Sequence, residues 1–210
     1  MKIGVFGGTF DPIHIAHIML ANEVRESLTL DYIKLIPSYI PPHRSSPGGT
    51  PAQRLEMLQM AVAHEPYLET DDRELVRASV SYTFDSLASI RTEIGSESLI
   101  CFMIGSDAYA LIDTWYKWQE LTNLVHMVVL QRPGVGHEPN NQIRAWAKKR
   151  TVNRELLLKN PAGGICFLPV RQMDISATEI RTRIDMDLDV SGLVSAEVKS
   201  FIEKFGLYRN

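Results

Sequence analysis

A chain of 210 residues with 45% apolar and 22% charged residues has the composition of an ordinary globular protein, long enough to bury a full core. Its formal net charge of -3 argues against a general nucleic-acid binder, so an anionic ligand would need a local cluster of positive groups. The two cysteines, Cys101 and Cys166, each fall inside an apolar run and read as small buried hydrophobes in a reducing compartment, not as a disulfide or metal site.

The elements follow in order. Lys2 to Phe6 is a short apolar run of strand type. It leads directly into Gly7-Gly8-Thr9-Phe10-Asp11-Pro12-Ile13-His14-Ile15-Ala16-His17. A helix is expected from about Ala16 to Leu28, with Ile18, Ala21, Val24 and Leu28 on one face. Tyr32 to Pro37 reads as a second strand, followed by a proline-rich loop through Pro41, Pro42, Pro47, Gly48 and Gly49. Thr50, Pro51 and Gln53 form a capping-box pattern, and Leu55, Leu58 and Val62 continue that helix. Tyr67 to Thr70 and Leu75 to Ala78 read as extended pieces, and Phe84 to Ile94 as a helix closed by Gly95.

Leu99 to Ile104 is a continuous apolar run, as in a strand buried on both faces, and ends at Gly105-Ser106-Asp107. Trp115 to Leu121 is expected to be helical, Val125 to Leu130 another buried strand, Asn141 to Lys149 a helix, and Ile165 to Val170 a last strand. Ser176-Ala177-Thr178-Glu179 has the capping-box pattern for a helix to Ile184, and a final helix runs from near Ser195 to Phe205. Strands alternating with helices imply an α/β fold: a Rossmann-like, doubly wound, mainly parallel sheet with helices on both faces. The whole of 1–210 is expected to be one domain, with about 175–210 a helical subregion. In such sheets ligands bind outside the carboxyl ends of the strands. The glycine-histidine stretch, Pro41 to Arg44, Gly105 to Asp107, Arg132-Pro133 and Ile175 to Thr178 all follow strands, so they are expected on one edge.

The opening stretch suits a polyphosphate. Glycines allow close backbone approach, a helix start presents N–H groups, and His14 and His17 add donors. A tight strand-to-helix turn with two incidental histidines is the alternative. Walker A, G-x-G-x-x-G and G-x-S-x-G patterns are absent. No carboxylate or thiol has a convincing spacing to make His14 and His17 zinc ligands, so no protein-held metal is expected. What remains is a set of groups that stabilise negative charge without an obvious nucleophile, as phosphoryl and nucleotidyl transfer require.

On these residues the chain resembles the H-x-G-H nucleotidyltransferase superfamily. The first signature is Gly7 to His17, and Ile175-Ser176-Ala177-Thr178-Glu179-Ile180-Arg181 is similar to the second, I-S-[SA]-T-x-I-R. With Pro41-Pro42-His43-Arg44, Ser81-Tyr82-Thr83, and Trp115-Tyr116 after Gly105-Ser106-Asp107, the likeness narrows to the bacterial nicotinate mononucleotide adenylyltransferases. It runs from Lys2 to Tyr208. Two positions depart from the pattern: Ala16 where glycine is usual, which a helical backbone would accept, and Arg44 where lysine is common.

The resemblance implies transfer of AMP from ATP to nicotinate mononucleotide, giving deamido-NAD and pyrophosphate, with Mg²⁺ carried by the ATP phosphates. It implies His14, His17 and Arg181 as catalytic, and Gly7, Gly8, Gly105, Asp107, Arg132, Ile175, Ser176 and Thr178 with them at ATP. Thr9, Phe10, His43, Arg44, Thr83, Trp115 and Tyr116 would meet the mononucleotide. Trp115 would stack on the pyridine, while Thr83 and the Tyr116 N–H bind its carboxylate. The alternatives are an enzyme acting on the amidated mononucleotide or another phosphate ester, and a non-catalytic nucleotide sensor. No nucleic acid or membrane partner is expected. The chain would act as a monomer or homo-oligomer in the cytoplasm, since it lacks a signal-peptide layout and any run of membrane-spanning length.

Overall fold

The computed structural model describes residues 1–40, 47–131, 138–171 and 173–209. Its elements in order are β1 (Lys2–Gly8), α1 (Ile15–Ser27), β2 (Tyr32–Pro37), α2 (Pro51–Val62), β3 (Leu68–Thr70), α3 (Arg73–Arg77) and α4 (Thr83–Ile94). Then follow β4 (Leu99–Gly105), α5 (Ser106–Tyr109), the 3₁₀ turns Ile112–Thr114 and Trp118–Glu120, α6 (Leu121–Leu124) and β5 (His126–Gln131). The chain closes with α7 (Asn141–Lys148), α8 (Arg154–Leu157), β6 (Ile165–Pro169), α9 (Ala177–Asp185) and α10 (Ala196–Phe205).

The six strands form one parallel sheet in the order β3-β2-β1-β4-β5-β6. This is the doubly wound, Rossmann-like order, and it reverses between β1 and β4. There Ile3 pairs with Ile100 and Phe6 with Met103. Cys101 pairs with His126 and Gly105 with Leu130 across β4 and β5, and Met127 pairs with Ile165 across β5 and β6. The expected buried character of β4 and β5 holds: Leu99 to Ile104 and His126 to Leu130 are all buried.

The chain divides into two compact units. One comprises Met1–Gly7, Glu23–Lys34 and Tyr82–Gln172; the other comprises Gly8–Asn22, Leu35–Ser81 and Met173–Asn210.

In the first unit Arg91 of α4 ties several turns together. Its guanidinium donates to the carbonyls of Leu124 at the end of α6 and of Gly95, Ser98 and Pro161 in connections between elements. Buried His126 is also satisfied. Its Nδ1 accepts from the Gly164 N–H at 2.9 Å, so Nε2 carries the proton and donates to the Asn160 carbonyl at 2.7 Å. Burial lowers its pKa from 6.5, because the charged ring would lose its water. Cys101 and Cys166 are free and buried, as expected, and burial pushes both thiols up.

In the second unit α2 starts with a complete capping box, Thr50 Oγ1 accepting from Gln53 N–H and Gln53 Oε1 from Thr50 N–H. Its buried stripe is Arg54, Met57, Leu58 and Val62, so Leu55 stands half-buried beside the core face. α10 packs against α2.

Three expectations are corrected. Leu75 to Ala78 is not extended. It completes α3, nucleated by the Asp71 carboxylate, which accepts the Arg73 N–H and pairs with its guanidinium, and ended by left-handed Ala78 at φ 50°. Trp115 to Leu121 is not one helix, because extended Trp115 and left-handed Lys117 (φ 52°) break it into 3₁₀ turns. The box at Ser176 is one-sided: Ser176 Oγ accepts the Glu179 N–H, but the Glu179 carboxylate lies near Arg183 at 4.0 Å.

Candidate functional site

In the second unit the chain leaves β1 at Gly8 through a turn that fixes both histidines. Phe10 sits at φ 49°, unusual for a bulky residue, and is buried. A Cβ on Gly8 would lie 3.0 Å from its ring, so glycine is what lets the ring fold back over the turn. That ring also meets the His17 ring in a T-shaped contact, with centroids 5.1 Å apart. His14 and His17 stack at 3.7 Å and 27°, His14 being 7% exposed and His17 half-buried. The His14 N–H donates to His17 Nδ1 at 3.3 Å, which puts the proton of a neutral His17 on Nε2. α1 then begins at Ile15, whose N–H donates to Leu193 O. Ala16 lies in the first helical turn, so its methyl causes no backbone strain.

The second motif joins this turn from the far end of the chain. α9 is capped by Ser176, and Thr178 and Arg181 stand on successive turns. Arg181 Nη1 donates to the Asp11 carbonyl at 2.7 Å and Nη2 to Thr178 Oγ1 at 3.3 Å. The first N–H groups of α9 have no intrahelical acceptor and, with the two hydroxyls, offer donors to an anion. Ile175 precedes the cap and is half-buried.

Arg54 and Tyr208 complete the arrangement, and neither stood out in the sequence. Arg54, 0% exposed, donates to the carbonyls of Thr9 (2.7 Å), Ser38 (2.7 Å), Tyr39 (3.2 Å) and Gly49 (3.2 Å). Burial lowers its pKa, an effect opposed by the charge of Asp11. Asp11, 6% exposed, accepts from the Gly48 and Gly49 N–H groups and the Tyr208 hydroxyl, each at 2.9 Å. One signal was available: Arg54 occupies an i, i+3, i+4 core position with Met57 and Leu58, where a cation needs buried acceptors. Tyr208 had none.

In the first unit Gly7 ends its span of β1, with Phe102 at ordinary contact distance from where a Cβ would be. Gly105 caps α5, and the Asp107 carboxylate folds back so closely that a Cβ on Gly105 would lie 2.6 Å from Oδ1. Thr83 opens α4 between two rings that both meet Tyr116, Tyr82 at 5.0 Å and Phe84 at 6.0 Å. Tyr116 therefore shares one aromatic cluster with the two sequence neighbours of Thr83. The ammonium of Lys117 lies 4.6 Å from the Phe84 ring centroid and 5.3 Å from that of Tyr116, adding positive charge there. Half-buried Trp115 rests against Phe102 at 6.3 Å. The Trp115 N–H is taken by Ile112 O, whereas the Tyr116 N–H makes no hydrogen bond among the described residues. His43, Arg44 and Arg132, three of the expected site residues, lie outside the described residues.

The sequence pattern of the cytidylyltransferase-like family matches residues 5–183. A Cellvibrio japonicus protein that carries the name of a nicotinate-nucleotide adenylyltransferase is 42% identical over 207 residues, 99% of this chain and 98% of that protein. A Pseudomonas fluorescens protein of the same name is 41% identical over 208 residues, 99% and 97% of the two chains. Among solved structures, Plasmodium falciparum nicotinic acid mononucleotide adenylyltransferase complexed with NaAD aligns with a TM-score of 0.74 at 18% identity, covering 99% of this chain and 97% of that one. At that identity the likeness speaks for the fold.

Proposed function

The chain belongs to the cytidylyltransferase-like family, among its nicotinate-nucleotide adenylyltransferases, and from that premise we propose how it joins the AMP of ATP to nicotinate mononucleotide in NAD biosynthesis. A phosphate oxygen of the mononucleotide attacks the α-phosphorus of ATP in line. The new P–O bond forms as the bond to the β-phosphate oxygen breaks, and that oxygen leaves with its electron pair in pyrophosphate. No covalent enzyme intermediate is formed.

His14 and His17 donate to the ATP phosphates, with His17 Nε2–H the more important donor. Ser176, Thr178 and the first N–H groups of α9, after Ile175, hold the β- and γ-phosphates, and Arg181 neutralises the leaving pyrophosphate. Gly7 and Gly8 let the phosphates approach the backbone. Gly105 and Asp107 meet the ribose and Arg132 the base. Thr9, Phe10, His43 and Arg44 approach the mononucleotide, Trp115 stacks on its ring, and Thr83 with the Tyr116 N–H takes its carboxylate. The donor set around His14 and His17 is made of imidazole, hydroxyl and guanidinium groups, and the Asp11 carboxylate is occupied by three donors. Such a set fits phosphate oxygens, so Mg²⁺ arrives on ATP and supplies charge neutralisation there. The whole of 1–210 acts as one nucleotidyltransferase domain with a C-terminal helical subregion, in the cytoplasm. No described helix is long and apolar enough to cross a membrane.

The observation that carries this reading is the pair of stacked histidines in the turn whose Asp11 carbonyl also holds Arg181. The test is pyrophosphate release with Mg²⁺ and ATP, comparing the acid and amide mononucleotides side by side. Faster turnover of the acid is expected. Equal or better use of the amide would remove Thr83 and Tyr116 from carboxylate recognition, because donors aimed at a carboxylate leave an amide NH₂ unmatched.

A further inference from the structure

Tyr208 follows the last helix, outside every motif. Its backbone is left-handed at φ 65°, which strains a residue bearing a Cβ. Its ring lies so close to Gly48 that a Cβ there would be 2.8 Å away. Its hydroxyl donates to Asp11 Oδ1, and burial beside that carboxylate pushes the phenol well up, so it stays a donor at working pH. Asp11 Oδ1 also accepts the Gly49 N–H, and Oδ2 the Gly48 N–H.

The Arg181 guanidinium stands 3.9 Å from Asp11 Oδ2, too far for a hydrogen bond, while it donates to the Asp11 carbonyl and to Thr178. A carboxylate beside an arginine frequently forms a short bidentate pair with it. Here three donors hold it in place. An Arg181 captured by Asp11 would have its charge neutralised and two donors turned away from any phosphate.

We propose that Tyr208 is a positioning residue whose hydroxyl holds the Asp11 carboxylate off Arg181, leaving that guanidinium aimed and charged for the leaving pyrophosphate. This rests on the role given to Arg181 above. Tyr208→Phe removes only the hydroxyl and keeps the ring on Gly48. Forward turnover should fall about 5–20-fold, the scale of one charge-linked hydrogen bond. The KM for pyrophosphate in the reverse reaction should rise by a similar factor, with the KM for nicotinate mononucleotide unchanged.

The decisive comparison is a double-mutant cycle. Tyr208→Phe should have no further effect on turnover in an Arg181→Ala background. The same loss in both backgrounds, equal rises in both KM values, or a Tyr208→Phe chain that does not fold would make the phenol merely structural and overturn the proposal. A fully active Arg181→Ala enzyme would overturn the role of Arg181 and this proposal with it. An impaired Arg181→Ala beside a wild-type Tyr208→Phe would overturn this proposal alone.

Discussion

An imidazole that donates to a phosphate must keep a proton on the nitrogen that faces the ligand. His17 meets this condition through its neighbour, because the His14 N–H occupies Nδ1. For His17→Ala we expect turnover to fall roughly 10²–10³-fold, the scale of losing one oriented oxyanion donor. Near-normal turnover would exclude His17 from the reaction. Arg54 acts differently, through the fold. Arg54→Met keeps much of the volume but leaves four carbonyls without their donor, including those of Thr9 and Gly49. A loss of about 3–5 kcal/mol in denaturant unfolding is expected. A loss under about 1 kcal/mol would mean the carbonyls find other donors. His14, His17 and Arg181 were legible because they stand in short motifs. Arg54 and Tyr208 were not, because their partners are backbone groups and a carboxylate distant in sequence, and no local spacing marks such contacts.

At the scale of elements, β5 carries a titratable group inside the core. Unfolded His126 titrates near 6.5, and its folded pKa lies lower because burial disfavours the charged ring. Between those two values the unfolded chain binds a proton that the folded chain does not, so stability rises with pH. This contribution is fully present above pH 6.5 and is lost as pH falls through the window toward the folded pKa. Unfolding free energies measured from pH 7 down to 5 should show a slope of up to about 1.4 kcal/mol per pH unit from this residue. His126→Gln, which can still donate to Asn160 and accept from Gly164, should flatten the slope by that amount. An unchanged slope would assign the acid sensitivity elsewhere. β4, β5 and α2 were readable from sequence because continuous apolar runs and a reciprocal cap are local signals. The stretch after Ile112 was not, because left-handed Lys117 breaks a helical pattern that composition alone would continue.

At the scale of the whole molecule, alternating strands and helices indicated a parallel sheet, but nothing local gives the order of its strands. The division into units was also hidden. Three of the passages from one to the other fall inside elements, at Gly7–Gly8 in β1, Asn22–Glu23 in α1 and Lys34–Leu35 in β2, where no linker composition marks the change. The reversal of strand order between β1 and β4 gives the topology a testable consequence, since ligands in such sheets lie beyond the strand ends at the switch. Gly105 ends β4 with φ -68° and ψ 151°, a backbone that alanine adopts freely. Its Cβ would stand 2.6 Å from Asp107 Oδ1, so in Gly105→Ala only the Asp107 carboxylate has to swing away. If Asp107 holds the ATP ribose, the KM for ATP should rise about 3–10-fold, the effect of one hydrogen bond worth ~0.5–1.5 kcal/mol. Turnover, the KM for the mononucleotide and the thermal midpoint should stay near wild type, and Asp107→Ala should mask the effect of Gly105→Ala. A change confined to the mononucleotide KM would move the ribose site away from the end of β4.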